Sequence, residues 1–129
     1  MARATPGTLL LSNLGHFALA YRPHRRSRML IMIIEPRGAD LRAVRDLAAR
    51  RGAGFVEVAD VRLVADALGL IDPDVVVGDL VSLAMAALVR PRARRVWLTD
   101  DPTLLDDAQL AAFGVDRVWR SPLDGEPPL

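Results

Sequence analysis

The sequence predicts a doubly wound α/β domain, a five-stranded parallel sheet with helices on both faces. Three observations carry that expectation. Residues 73–80, PDVVVGDL, contain three consecutive valines, and a β-branched run without polar alternation is stable as a strand only when both its faces are covered. Comparable short apolar runs recur at 29–34, 55–59, 96–99 and 118–119, separated by segments of helical spacing. Strands that alternate with helices over short connections favour right-handed crossovers, and hence a parallel sheet clad on both sides.

Each element follows from its residues. Met29 to Ile34, MLIMII, reads as a fully apolar strand closed by Glu35-Pro36. A helix follows in which Leu41, Val44, Leu47 and Ala48 share one face, and the glycines at 52 and 54 end it. Residues 55–59 read as a strand. Asp60 supplies an N-cap to a helix through Leu63, Val64, Ala67 and Leu68 that Gly69 stops. The central strand, 75–78, leads into a short buried helix over 80–89 that is apolar almost all round and halts at Arg90-Pro91. Residues 96–99 form a fourth strand. Asp101-Pro102 has the form of an N-cap with proline at the first helical position, and Leu104, Leu105, Ala108, Ala111 and Ala112 give that helix its face as far as Gly114. Val118 and Trp119 make the fifth strand, ending at Ser121-Pro122.

The 129 residues are 51% hydrophobic, enough for one domain with a real core. No apolar run approaches the roughly 20 residues that a membrane span needs. There is no cysteine, so no disulfide framework, thiol nucleophile or cysteine metal cage is available. All 17 basic residues are arginine, which removes any mechanism that requires a lysine. Five of these arginines lie in residues 1–28 with no acid beside them, while residues 29–129 carry 12 arginines against 16 acids. A nucleic-acid role is therefore not expected of the folded domain, and only the basic linker 22–28 would permit one. Ahead of that linker, Leu10, Leu14, Phe17, Ala18 and Tyr21 fall at the spacing of one helix face and predict an amphipathic helix over 8–21. The expected organisation is an amino-terminal extension over 1–28, a domain over 29–123 and a tail over 124–129.

In order and spacing, the segments LIMIIEP, AGFVEVAD, PDVVVGDL, VWLTDDP and GVDRVWRSPL resemble the five strand regions of a response-regulator receiver domain of two-component signalling. The resemblance covers residues 29–123. It implies a flavodoxin-like sheet of order 2-1-3-4-5 and a cytoplasmic, bacterial setting. Asp79 matches the family's phosphoacceptor, and Thr99 matches the hydroxyl residue that contacts the phosphoryl group.

The departures are as informative as the matches. Ile33 and Ile34 stand where receivers carry the acidic pair that binds Mg²⁺, and Ser121 stands where the family has a lysine. Phosphoryl transfer needs its developing negative charge neutralised, so Asp79 is expected to serve as a structural acid with no metal and no cofactor. The acids at 100, 101, 106 and 107 are expected to act as solvated helix caps. A receiver would begin a fifth helix where this chain reads LDGEPPL, which implies an uncovered sheet face. Either the amino-terminal helix fills it, or a second copy or another protein does, with Leu10, Leu14, Phe17, Tyr21 and Trp119 as the packing surface. The resulting expectation is a degenerate receiver-like adaptor without enzymatic output that acts through protein contacts or as a homodimer. The alternatives are a phosphorylation-competent receiver using Asp79 and a flavodoxin-like domain that binds a small molecule.

Overall fold

The computed structural model describes residues 8–11, 17–19, 29–120 and 129. In chain order the elements are β1 (Thr8–Leu11), β2 (Phe17–Leu19), β3 (Leu30–Ile34), α1 (Gly38–Arg51), β4 (Gly54–Val58), a 3-10 turn (Val61–Leu63) leading into α2 (Val64–Leu70), β5 (Val75–Gly78), α3 (Leu80–Val89), β6 (Arg94–Thr99), α4 (Asp107–Ala112) and β7 (Arg117–Arg120). Strands β4-β3-β5-β6-β7 are parallel neighbours. Numbered among themselves, these five have the order 2-1-3-4-5 that the sequence predicts.

Parity along the strands sets the two cores, because successive side chains point to opposite faces. Leu30, Met32, Ile34 and Val76 pack with α2 and α3 through Val64, Leu68, Leu83 and Ala86. Ile31, Ile33, Val75 and Val77 pack on the other face with Val44 and Ala48 of α1. Every residue of β3 and β5 is buried, as an unbroken apolar run in a central parallel strand requires. Helix α1 stops at Gly52, whose positive φ of 64° lets its N–H reach back to the carbonyls of Ala48 and Ala49. No helix among the described residues is long and apolar enough to cross a membrane.

Four expectations need correction. The amphipathic helix over 8–21 is not formed: Thr8–Leu11 and Phe17–Leu19 are strands. β1 runs parallel to β4, with Leu10 opposite Glu57, and β2 pairs antiparallel with β1, with Leu10 opposite Ala18. This segment extends the sheet at its edge and does not cover a face. The physical reason is that β4 would otherwise present a row of unpaired N–H and C=O groups, and the run TLLL suits a strand as well as a helix. Leu14 and Tyr21 lie outside the described residues.

Trp119 is the second correction. At 2% exposure it is part of the α1-side core with Val96 and Val77, and so is no docking surface. Leu129 packs against the same cluster, and its carbonyl oxygen accepts from the Arg51 guanidinium at 2.6 Å. Third, α3 has the predicted bounds but is not buried all round, for Leu88 is 85% exposed and Val81 62%. Fourth, α4 starts later than Asp101. Asp106 is its N-cap, in a capping box with Gln109, while Asp101 accepts from the N–H and hydroxyl of Thr103 in a local turn.

Candidate functional site

The carboxyl edge of the parallel sheet opens into a cleft of ≈ 480 Å³. It lies where the loops after β3, β5 and β6 converge, the usual place for ligands and chemistry in open α/β sheets. Ile34, Glu35 and Arg37 line it from the β3–α1 loop, Asp79, Leu80 and Val81 from the start of α3, and Thr99, Asp100 and Leu104 from the β6–α4 connection.

Asp79 sits here because β5 ends at Gly78 and the next backbone must turn into α3. Its backbone is extended (φ −79°, ψ 175°), and its carboxylate oxygen Oδ1 accepts from the Ser82 N–H at 2.8 Å. This is an N-cap, which satisfies one of the orphan donors at a helix start and places negative charge at the positive end of its dipole. Among the described residues no hydrogen bond reaches the other carboxylate oxygen. Gly78 sits where there is little room for a side chain: a Cβ there would lie 3.2 Å from the Ser82 Cβ and 3.3 Å from the Ile34 Cβ.

Thr99 ends β6 at 8% exposure, and its hydroxyl oxygen accepts from the Asp101 N–H at 3.1 Å. The sequence thus brings Asp79 and Thr99 to one cleft, as expected. It also brings groups that spacing does not reveal. Arg37 reaches Asp100 at 3.7 Å across the mouth, joining the first and last of the three loops. Both side chains are well exposed, so the pair contributes little to stability. Glu35 adopts a φ of +47°, the one positive value at a non-glycine among the described residues, and costs on the order of 1–3 kcal/mol of local strain. Two hydrogen bonds hold it there: its N–H donates to the Val58 carbonyl at 2.8 Å, and its carboxylate accepts from the Val61 N–H at 2.6 Å.

The donor set does not fit a magnesium ion. Mg²⁺ demands near-octahedral oxygen ligation, with one or two carboxylates free to face it. At the two positions where receivers carry acids, Ile33 and Ile34 are buried apolar side chains at 0% and 3% exposure. Asp79 keeps one oxygen that accepts no hydrogen bond among the described residues, whereas Glu35 is turned to Val61, Asp100 to Arg37 and Asp101 to Thr103. No group of three or more His, Cys, Asp or Glu residues that could hold a metal ion occurs among the described residues. Ser121, the position matched to the family's lysine, lies outside the described residues.

Charge around the cleft is perturbed modestly. The Thr103 hydroxyl and N–H hold the Asp101 carboxyl below its ordinary value, and Arg120 adds to this from a distance. Arg120 ends β7 directly opposite Thr99, so an arginine does stand at this edge, although its effect falls on Asp101.

No protein-family model and no curated protein matches this sequence. Solved structures do. The chain is similar to the signal receiver domain of an HD domain-containing protein from Pseudomonas fluorescens Pf-5, with 19% identity and a TM-score of 0.61 over 80% of this chain and 82% of that one. It is similar to a CheY-like response regulator receiver domain protein from Methanospirillum hungatei JF-1, with 15% identity and a TM-score of 0.65 over 76% and 85%. It is also similar to a response regulator from Burkholderia pseudomallei whose structure holds a phosphorylated aspartic acid and a calcium ion, with 18% identity and a TM-score of 0.59 over 74% and 61%. The fold is therefore that of CheY-like receiver domains.

Proposed function

We propose that this chain is a receiver-like regulatory module that works through protein contacts and without phosphorylation of Asp79, with residues 29–123 as the working unit in a cytoplasmic setting. One observation carries the reading: among the described residues no cationic side chain bonds to the Asp79 carboxylate, which accepts from the Ser82 N–H. The positions that would hold a metal are Ile33 and Ile34, and the arginine that lines the cleft, Arg37, is paired with Asp100. Phosphoryl transfer to a carboxylate depends on charge neutralisation at the equatorial oxygens, and each missing contact removes several kcal/mol of transition-state stabilisation. Asp79 meanwhile has a sufficient structural task as the cap of α3. On this reading the domain has no enzymatic output.

A phosphorylation-competent receiver is the second reading, and the second oxygen of Asp79, which accepts no hydrogen bond among the described residues, together with Thr99 in the same cleft favours it. Mg²⁺ with beryllofluoride, an acyl-phosphate mimic, separates the two when Asp79, Thr99 and their neighbours are followed by NMR beside an Asp79→Asn control. The proposal expects spectra that do not respond. Perturbations that need both Mg²⁺ and Asp79 would overturn it.

A further inference from the structure

The two helical layers of this domain are dressed differently. α1 presents Arg42, Arg45 and Asp46 to solvent. On the opposite layer the ten residues of α3, LVSLAMAALV, include no charge. Its buried side is Ser82, Leu83 and Ala86, and its solvent side is Val81, Ala84 and Leu88, with Met85 half-buried between them. These fall at i, i+3, i+4 and i+7, one continuous stripe. Large exposed hydrophobics among the described residues are confined to this layer and the connections around it, with Leu70 and Leu104 flanking α3. A helix apolar on every side is normally enclosed by protein.

Charge on either side of the stripe identifies what encloses it. At the amino end of α3, Asp79 and Asp100 are exposed beside the cleft that Val81 lines; Asp100 shares its charge with Arg37, so the excess negative charge there is that of Asp79. At the carboxyl end Arg90 follows Val89 and Arg92 stands two positions further on; Arg90 is offset by Asp72, so the excess positive charge there is that of Arg92. Arg90 is anchored there by its bond to the Leu68 carbonyl and its contact with Asp72 at 3.9 Å. A surface with an uncharged middle, one acidic end and one basic end is complementary to itself turned through 180°. An antiparallel pairing centred between Ala84 and Met85 sets Val81 against Leu88 of the second copy and the Asp79 end against the Arg90–Arg92 end, and it opposes the helix dipoles favourably. Ala84 at the centre permits close approach.

We propose that the occupant of the α3 face is a second copy of this chain, joined as an isologous dimer through antiparallel α3 helices. The proposal deepens the reading of a protein-contact module and rests on it. Because Val81 lines the cleft, the dimer also brings each copy's basic end to the rim of the other's Asp79 cleft. A helix of this length spans about 15 Å, which places the interface at the small, reversible end of the size range.

Sedimentation velocity over a concentration series of the full chain tests it. The expected result is a reversible monomer–dimer equilibrium that weakens at high salt, weakens by at least about tenfold in Leu88→Glu, and weakens in Arg92→Glu with a smaller salt dependence. Both side chains are exposed, so the variants keep the wild-type circular dichroism and melting temperature. Orientation is read by a short bismaleimide, since the chain has no cysteine of its own. Val81→Cys mixed with Leu88→Cys should cross-link in preference to either variant alone. A wild-type monomer at every concentration, or a dimer indifferent to Leu88→Glu, overturns the proposal, as does cross-linking of each variant with itself. These outcomes are separate from the beryllofluoride experiment: a monomer with a silent Asp79 removes the dimer alone, whereas a responsive Asp79 removes the phosphorylation-independent reading whatever the oligomeric state.

Discussion

Replacing Asp79 distinguishes a structural acid from one held for chemistry, because the two roles predict opposite signs for stability. As the N-cap of α3, its carboxylate oxygen accepts the Ser82 N–H at 2.8 Å. Asp79→Ala leaves that donor at a partly buried helix start without its partner and should cost about 1 kcal/mol, within the usual 0.5–2. Asp79→Asn keeps an acceptor in the same place and loses only the charge–dipole contribution, about 0.3–1 kcal/mol where exposed. For a chain of this size, about 1 kcal/mol corresponds to roughly 4 °C in melting temperature. Urea unfolding followed by circular dichroism, with equal m-values required, gives the ranking wild type > Asn > Ala. An acid retained against repulsion from Asp100 and Glu35 in the same cleft would give the reverse, with both variants more stable than wild type. That result, or Ala equal to wild type, would refute the capping argument.

Further substitutions test the packing around the site. Gly78→Ala forces a methyl to within 3.2–3.3 Å of the Ser82 and Ile34 β-carbons, so an overpacking cost of about 1–3 kcal/mol is expected in the same denaturant assay. Trp119→Ala should cost about 3–5 kcal/mol. Trp119→Phe should stay within about 1 kcal/mol of wild type, since it also removes a buried indole N–H that has no hydrogen-bond partner among the described residues. Burial pushes the Glu57 carboxyl above its ordinary value of 4.5, partly opposed by Arg45. A raised carboxyl pKa means that the folded state holds the proton more tightly than the unfolded one, so this contribution is fully present below the unfolded value and is lost as pH rises through the folded one. Glu57→Gln should accordingly be more stable than wild type at pH 7, and the gap should close below about pH 4. Asp60 is held at about 2 by its hydrogen bonds with Arg62. NMR titration of Arg62→Ala should return its midpoint toward 3.8.

How much of this was legible in the sequence depended on whether the deciding contacts were local. The central strands were, because a parallel strand buried on both faces must be apolar throughout, and LIMII and VVV are runs of strand length, rich in β-branched residues and bounded by turn residues. Asp79 and Thr99 were also legible, since strand ends in such a sheet converge at one edge. The start of α4 was readable but misjudged: Asp101-Pro102 suits a turn as well as a cap, and the capping box Asp106 with Gln109 decides between them. The amino-terminal strands were not readable. Leu10, Phe17 and Ala18 match a helical period, and what overrides it is the unpaired edge of β4, more than forty positions along the chain. Nor do spacings report the Arg37–Asp100 link or the turn of Glu35 toward Val61, which depend on how three loops fold over the cleft.

The added strands bear on where this molecule can meet another. A sheet edge is the cheapest docking surface in an α/β protein, because it offers a ladder of unpaired backbone groups. Here one edge is closed by β1 and ends in β2, a strand of three residues, too short to template much pairing. The other edge is β7, whose four residues begin and end with exposed arginines, Arg117 and Arg120. Charge at an edge discourages a further strand from adding. The face clad by α1 carries charged side chains outward. What is left is the layer of α2, α3 and α4 with the cleft at its upper end, where the exposed apolar side chains are gathered. Edge protection and the bare α3 stripe thus point the same way: contact through a helical face, beside the site where Asp79 caps the helix that presents it.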